Sequence, residues 1–116
     1  MSASIVTTEV AEPYARALLS LTQDSGTTDE VNGLAGEVLG LLAESQELAD
    51  FLANPITSAD VKKAVVRQVL GDSVNSSFLN FVQLLVDRGR VALLMPILTQ
   101  FQAMVRVFNQ TVLAEV

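Results

Sequence analysis

The fold is decided by the stretch Phe78-Leu79-Asn80-Phe81-Val82-Gln83-Leu84-Leu85-Val86-Asp87-Arg88-Gly89-Arg90. Read as an α-helix at about 100° per residue, its apolar side chains cover an arc of roughly 220°. Asn80, Gln83 and Asp87 are the residues that mark a polar side. A surface helix that faces one core needs an apolar stripe of little more than about 100°. This helix therefore either runs through the middle of a bundle or offers a second apolar face to something outside it.

A second segment, residues 6–21, has the same excess, with an apolar arc that also spans roughly 220°. Pro13 is tolerated in the first turn of a helix, so this helix either begins near Ala11 or is kinked. If the two helices are adjacent, the surplus apolar surface forms a groove that can hold an amphipathic helix from a partner. The alternative is that both helices are central in the bundle, and periodicity alone does not decide between these readings.

Four further segments have helical periodicity, namely residues 28–45, 47–52, 59–70 and 91 or 95 to 112. Thr27-Thr28-Asp29-Glu30 has the form of a capping box, and Asn54-Pro55 ends the short third helix. Thr57 or Ser58 is the predicted cap of the fourth helix, whose core side is Val61, Val65, Val66, Val69 and Leu70. Gly71 is its predicted C-cap, and Gly89 is expected to close the fifth helix in a left-handed conformation.

The starts of the last two helices and the end of the chain are also predicted from residue type. Asp72 or Ser73 is expected to start the fifth helix. Pro96 suits the first turn of the sixth. Residues 111–116 include β-branched residues, and their polar and apolar side chains alternate, which indicates the start of a strand. Six helices joined by short loops predict an all-α six-helix bundle over residues 1–112, with residues 113–116 beginning a linker or strand to an absent C-terminal domain.

The second helix carries Gly33, Gly36 and Gly40 on the side opposite its apolar stripe. Each glycine costs about 1 kcal/mol relative to alanine in a helix interior. The row is either a groove for close helix approach or, as we favour, a solvent-facing row of tolerated glycines.

Composition excludes several kinds of chemistry. The chain has no cysteine and no histidine, which removes thiolate nucleophiles, disulfides and the commonest general base and metal ligand. Its net charge of −6 and scattered basic residues argue against a nucleic-acid interface. The sequence shows no stretch that we expect to span a bilayer, no cofactor motif and no convergent catalytic group.

Four segments, in this order and spacing, resemble the delta subunit of F-type ATP synthases, the mitochondrial oligomycin-sensitivity-conferring protein. They are Val10-Ala11-Glu12-Pro13-Tyr14-Ala15-Arg16-Ala17-Leu18, then Phe51-Leu52-Ala53-Asn54-Pro55 with Lys62-Lys63 and Leu70, then residues 78–90 with Leu93-Leu94-Met95-Pro96 and Phe101, and finally Asn109-Gln110-Thr111-Val112-Leu113-Ala114-Glu115-Val116. The last segment is similar to cyanobacterial and chloroplast members in particular.

The resemblance implies a non-catalytic stator subunit of a proton-translocating ATP synthase, in which a six-helix N-terminal domain precedes a second domain. It implies that the N-terminal helix of an alpha subunit binds between the first and fifth helices. The residues carried over by position are Tyr14, Ala17, Leu18 and Leu21 on the first helix, with Phe81, Leu84 and Arg88 on the fifth. It also implies that the b-type stalk subunits bind the missing C-terminal domain.

The same resemblance implies a peripheral protein on the thylakoid or cell inner membrane, on its stromal or cytoplasmic side, that meets the membrane only through the complex. We expect a monomer in isolation, with no cofactor and no nucleic acid bound. The alternative functions are an all-α RNA-binding domain of the antitermination type, which would need a basic face, and a helical enzyme domain, which would need a pocket with convergent titratable groups.

Overall fold

The chain forms an all-α bundle in the computed structural model, which describes the backbone of residues 2–71 and 75–115 and the side chains of residues 9–71 and 75–109. Across that part of the chain there are six α-helices and no strand: α1 Ser2–Ser25, α2 Thr28–Glu44, α3 Gln46–Ala53, α4 Ala59–Leu70, α5 Ser76–Asp87 and α6 Leu94–Glu115. A single 3₁₀ turn, Val91–Leu93, precedes α6. The predicted six-helix bundle is confirmed.

Helix α1 extends beyond the predicted residues 6–21 at both ends, and it continues through Pro13, so the alternative start near Ala11 is wrong. A proline inside a helix costs about 3 kcal/mol through the lost backbone hydrogen bond and the clash with the preceding turn. Ala11, Ala15 and Leu18, on either side of Pro13 along the helix, have no exposed surface. Tertiary burial of this stripe offsets the local cost.

The core lies where α6 packs against α1 and α2. Its largest fully buried side chains come from three helices: Phe78, Phe101, Leu18, Leu85, Ile97 and Leu98. By contrast, α4 packs mainly on α5, and of its predicted core residues only Val66 is buried. Val61 and Val69 remain exposed, so the predicted core side of the fourth helix is wrong at these positions because few neighbours cover it.

Two predictions about where helices begin are wrong. Thr27 is the N-cap of α2 but makes no side-chain capping hydrogen bond, since its hydroxyl bonds to the Ser25 hydroxyl at 2.7 Å. Helix α5 begins at Ser76 with Asn75 as its cap, and Asp72 and Ser73 lie outside the described residues. The predicted caps Ser58 and Gly71 are confirmed, and Gly89, which follows the C-cap Arg88 of α5, has the predicted left-handed conformation; the two glycines have φ of 72° and 69°.

Helix α6 continues to Glu115, so the strand predicted to begin near Thr111 is wrong as far as Glu115, and Val116 lies outside the described residues. The stretch Val91–Asn109 is apolar and long enough to cross a membrane by length and composition, with a mean hydropathy of 1.5 over 19 residues, which also corrects the prediction that no such stretch exists. Ile97, Leu98 and Phe101 are completely buried within the bundle. They belong to the 33% of this stretch that is buried inside the bundle.

The glycine row of α2 faces away from the core. A Cβ added at Gly33 or Gly40 would have no neighbour within 4 Å, which confirms the solvent-facing interpretation at these two positions. At Gly36 a Cβ would meet the Gln102 side chain at 3.2 Å. Only this central glycine is approached by a neighbouring helix.

Candidate partner-binding groove

Helix α5 is positioned against the start of α2 by Asn75. The Asn75 Oδ1 accepts hydrogen bonds from the backbone N–H groups of Ser77 (2.9 Å) and Phe78 (3.2 Å), while its Nδ2 donates to Glu30 Oε2 at 3.3 Å. One side chain therefore caps α5 and ties its first turn to the helix that directly follows α1. As a result, α5 begins beside the C-terminal end of α1.

The α1–α5 groove is the open, shallow pocket between these two helices, lined by Leu21 of α1 and by Ser77, Asn80, Phe81 and Leu84 of α5. Leu21 is 39% exposed and Leu84 is 44% exposed, so the two leucines that line this pocket are both partly open to solvent. Phe81 is only 7% exposed and forms the floor. The surplus apolar surface predicted for the two helices is therefore partly left uncovered, and the helices are adjacent.

The structure separates the predicted groove residues by burial. Ala17 and Arg88 are exposed, and Tyr14 is half-buried against the core. Leu18 has no exposed surface and packs in the core. Leu18 is therefore placed where it supports the groove from beneath, and its predicted direct contact with a partner does not fit its burial.

Ser77 and Asn80 line the groove but were not among the predicted site residues. Together with Leu84 they follow a spacing of three and four residues, which places them on one face of α5. That spacing was readable in the sequence, but Asn80 indicated only a polar side of the helix, and Ser77 precedes the stretch 78–90 on which the prediction rested. Their position beside Leu21 depends on how α5 crosses α1.

A second apolar cavity lies between α2, α3 and α4, and its lining includes Leu41 and Val69. These two side chains are 42% and 41% exposed, comparable to the leucines of the α1–α5 groove.

Within the described part of the chain, no group of three or more histidine, cysteine, aspartate or glutamate side chains could hold a metal ion. Association through apolar surface is thus the chemistry that this arrangement supports.

Comparison with known proteins identifies the family. Residues 10–116 match the family described as ATP synthase delta (OSCP) subunit. The chain belongs to this family. The match includes α5 and the part of α1 from residue 10 onward, and it sets aside the alternative of an RNA-binding domain of the antitermination type.

Individual relatives in the delta (OSCP) family agree with this assignment. The chain is 43% identical over 116 residues to the ATP synthase subunit delta of Microcystis aeruginosa, covering all of this chain and 64% of that protein. It is 50% identical over 108 residues to the subunit delta of a Synechococcus species, covering 93% of this chain and 59% of the relative. The chain thus spans somewhat less than two thirds of the length of these relatives.

Proposed function

We propose that this chain is the part of a delta subunit that binds the N-terminal helix of an ATP synthase alpha subunit in the α1–α5 groove. The observation that carries the proposal is the pair Leu21 and Leu84, which stand in one pocket with 39% and 44% of their surfaces exposed. An amphipathic helix laid between α1 and α5 would cover both side chains with its apolar face. Ala17 is exposed one turn before Leu21 on α1, in a shallow depression that it lines with Pro13, Arg16 and Ser20, and its small side chain allows the backbone of such a helix to approach closely.

In this role the protein is a non-catalytic stator component rather than an enzyme. Rotation of the central rotor tends to drag the catalytic head round with it, and the stator must hold the head against that torque. Slow dissociation is what such a link requires, and differences in affinity between related complexes lie mostly in the off-rate. Contact through apolar side chains suits the task, because salt screens charges far more than apolar burial.

Two further parts of the proposal concern regions beyond this bundle. The b-type stalk subunits would bind the portion of the delta subunit that relatives have in addition to the length matched here. The protein would then be peripheral to the membrane, on the stromal or cytoplasmic side of a thylakoid or cell inner membrane, and attached only through the complex. By itself, the 116-residue chain is proposed to be monomeric.

The test is a titration of a synthetic peptide, the first ~20 residues of a cyanobacterial alpha subunit, into the isotope-labelled chain; a helix of that length spans about 30 Å. The proposal predicts saturable binding by calorimetry and amide shift changes concentrated at residues 14–24 and 77–88. Binding that shifts the amides around Leu41 and Val69 instead would move the site to the second cavity. No binding at millimolar peptide would reject the proposed function.

A further inference from the structure

The α1–α5 groove has an apolar part and a polar part. Leu21 and Leu84, with the nearly buried Phe81, make the apolar part. Ser77 and Asn80 line the same pocket, and they lie about two turns and about one turn before Leu84 on α5. The polar groups therefore stand in the half of the groove nearer the start of α5.

Neither polar side chain is used inside the bundle. Ser77 is half-buried and its backbone N–H donates to Asn75 Oδ1, but its hydroxyl has no hydrogen-bond partner among the residues whose side chains the structure describes. The Asn80 side chain is exposed, and its amide is likewise without a partner in that part of the chain. A hydroxyl and an amide are thus open to another molecule beside the two leucines.

A helix that covers the groove removes water from these two groups. Burying a hydroxyl or an amide without a replacement hydrogen bond is unfavourable, whereas burial of the neighbouring leucines is favourable. The groove therefore disfavours a helix that is apolar along its whole contact face. It favours one that places a hydrogen-bonding side chain opposite Ser77 and Asn80.

The nearby charge favours a donor over a carboxylate at this position. Glu30 Oε2 accepts a hydrogen bond from Asn75 Nδ2 at 3.3 Å, so an exposed carboxylate lies beside the first turn of α5, which includes Ser77. An acidic side chain of the partner would be repelled there. An N–H donor can instead bond to the Asn80 carbonyl oxygen or to the Ser77 hydroxyl, since both accept.

Building on the proposed function, we infer that Ser77 and Asn80 are specificity-determining residues of the α1–α5 groove. They select a partner helix in which a hydrogen-bond donor, such as the amide of asparagine or glutamine, lies about one turn from the apolar side chain that covers Leu21 and Leu84. The pair also sets the register of the bound helix, because a shift by one residue rotates its contact side chains by about 100°. The leucines supply the apolar contact, and the polar pair decides which helix makes it.

A double-mutant cycle between the groove and the peptide tests this inference. Asn80→Leu replaces the amide by an apolar side chain of similar size, and it is expected to lower the affinity for the cyanobacterial alpha-subunit peptide about tenfold. In a set of peptides that each have one polar residue replaced by leucine, one peptide should lose a similar factor against the wild type but not against the Asn80→Leu variant. Gln68→Leu, which replaces an exposed amide of α4, is the matched control and should bind every peptide as the wild type does.

Ser77 provides a second, smaller change. Ser77→Ala removes the hydroxyl and should lower the affinity for the unmodified peptide by a smaller factor than Asn80→Leu. Ser76→Ala removes the hydroxyl of an exposed residue outside the groove and should leave the affinity unchanged. Circular dichroism of each variant checks that the helical fold is kept.

The outcomes separate this inference from the proposed function. The inference is overturned, and the groove assignment stands, if Asn80→Leu binds the unmodified peptide as tightly as the wild type does. The same holds if no peptide position couples to Asn80, or if the coupled residue is an aspartate or glutamate. No binding of the peptide to the wild type would overturn both.

Discussion

Leu21 of α1 and Leu84 of α5 are 63 positions apart in the sequence, yet they line one open pocket and neither is covered. Each keeps about two fifths of its surface exposed, while the neighbouring Phe81 is nearly buried beneath them. Two partly exposed leucines beside a nearly buried phenylalanine form an apolar depression on the surface, which we propose receives an apolar side chain of the partner helix.

Placing a carboxylate beneath the bound helix should weaken peptide binding while leaving the chain folded. Leu84→Asp, or Ala17→Asp, leaves an unpaired charge beneath the bound helix, at a cost of about 2 kcal/mol or more, equivalent to roughly thirtyfold in affinity. Calorimetric titration of the alpha-subunit peptide measures the loss, and circular dichroism reports the fold. Leu41→Asp is the matched control, since Leu41 is 42% exposed on the far cavity, and normal binding by the Leu84 variant would refute the groove.

Leu18 and Leu21 should respond in opposite ways to truncation. Leu18→Ala removes a completely buried side chain and is expected to lower the free energy of unfolding by about 2–5 kcal/mol. Leu21→Ala removes a side chain that is already 39% exposed, so its stability loss should be smaller and its loss of peptide affinity larger. Urea denaturation and peptide titration of both variants provide the comparison. Equal effects on stability would mean that Leu21 belongs to the core.

Asn75 is expected to contribute more to stability than an ordinary cap. Asn75→Ala removes the N-cap of α5, which typically costs about 1 kcal/mol, and also the hydrogen bond to Glu30. Ser58→Ala, which removes the single capping bond to Val61 at 3.3 Å, is the matched control on α4. Thermal denaturation should show the larger decrease for Asn75→Ala, and a smaller decrease than for Ser58→Ala would contradict the proposed tie between α5 and α2.

The glycine row of α2 offers a stabilising change. Gly40→Ala and Gly33→Ala should each raise the free energy of unfolding by up to about 1 kcal/mol, because alanine favours the helix and meets no neighbour within 4 Å. Gly36→Ala should gain less, since its Cβ would press on Gln102 at 3.2 Å, and Gln102 bonds to the Asn32 carbonyl. Chemical denaturation measures all three. An equal gain at Gly36 would show that Gln102 yields without cost.

Several structural features escaped prediction for identifiable reasons. Pro13 left open whether α1 begins near Ala11. The helix continues through Pro13 because the residues buried on either side of it stabilise the helix. Residues 111–115 have β-branched character, yet they continue α6 because local propensity is weak beside the extension of an existing helix. The capping box at Thr27 failed because its hydroxyl and the Glu30 carboxylate are used by Ser25 and Asn75. Competing partners for a polar group cannot be read from spacing.

By itself, the sequence determined the six helical segments, their order and the surplus of apolar surface on the first and fifth. These follow from residue type and helical periodicity, which depend on neighbours a few positions away. Only the tertiary structure decided that Leu18 is buried while Leu21, one turn later, is exposed. The reason is that burial depends on where α5 and α6 cross α1, and a crossing is set by packing among all the helices at once.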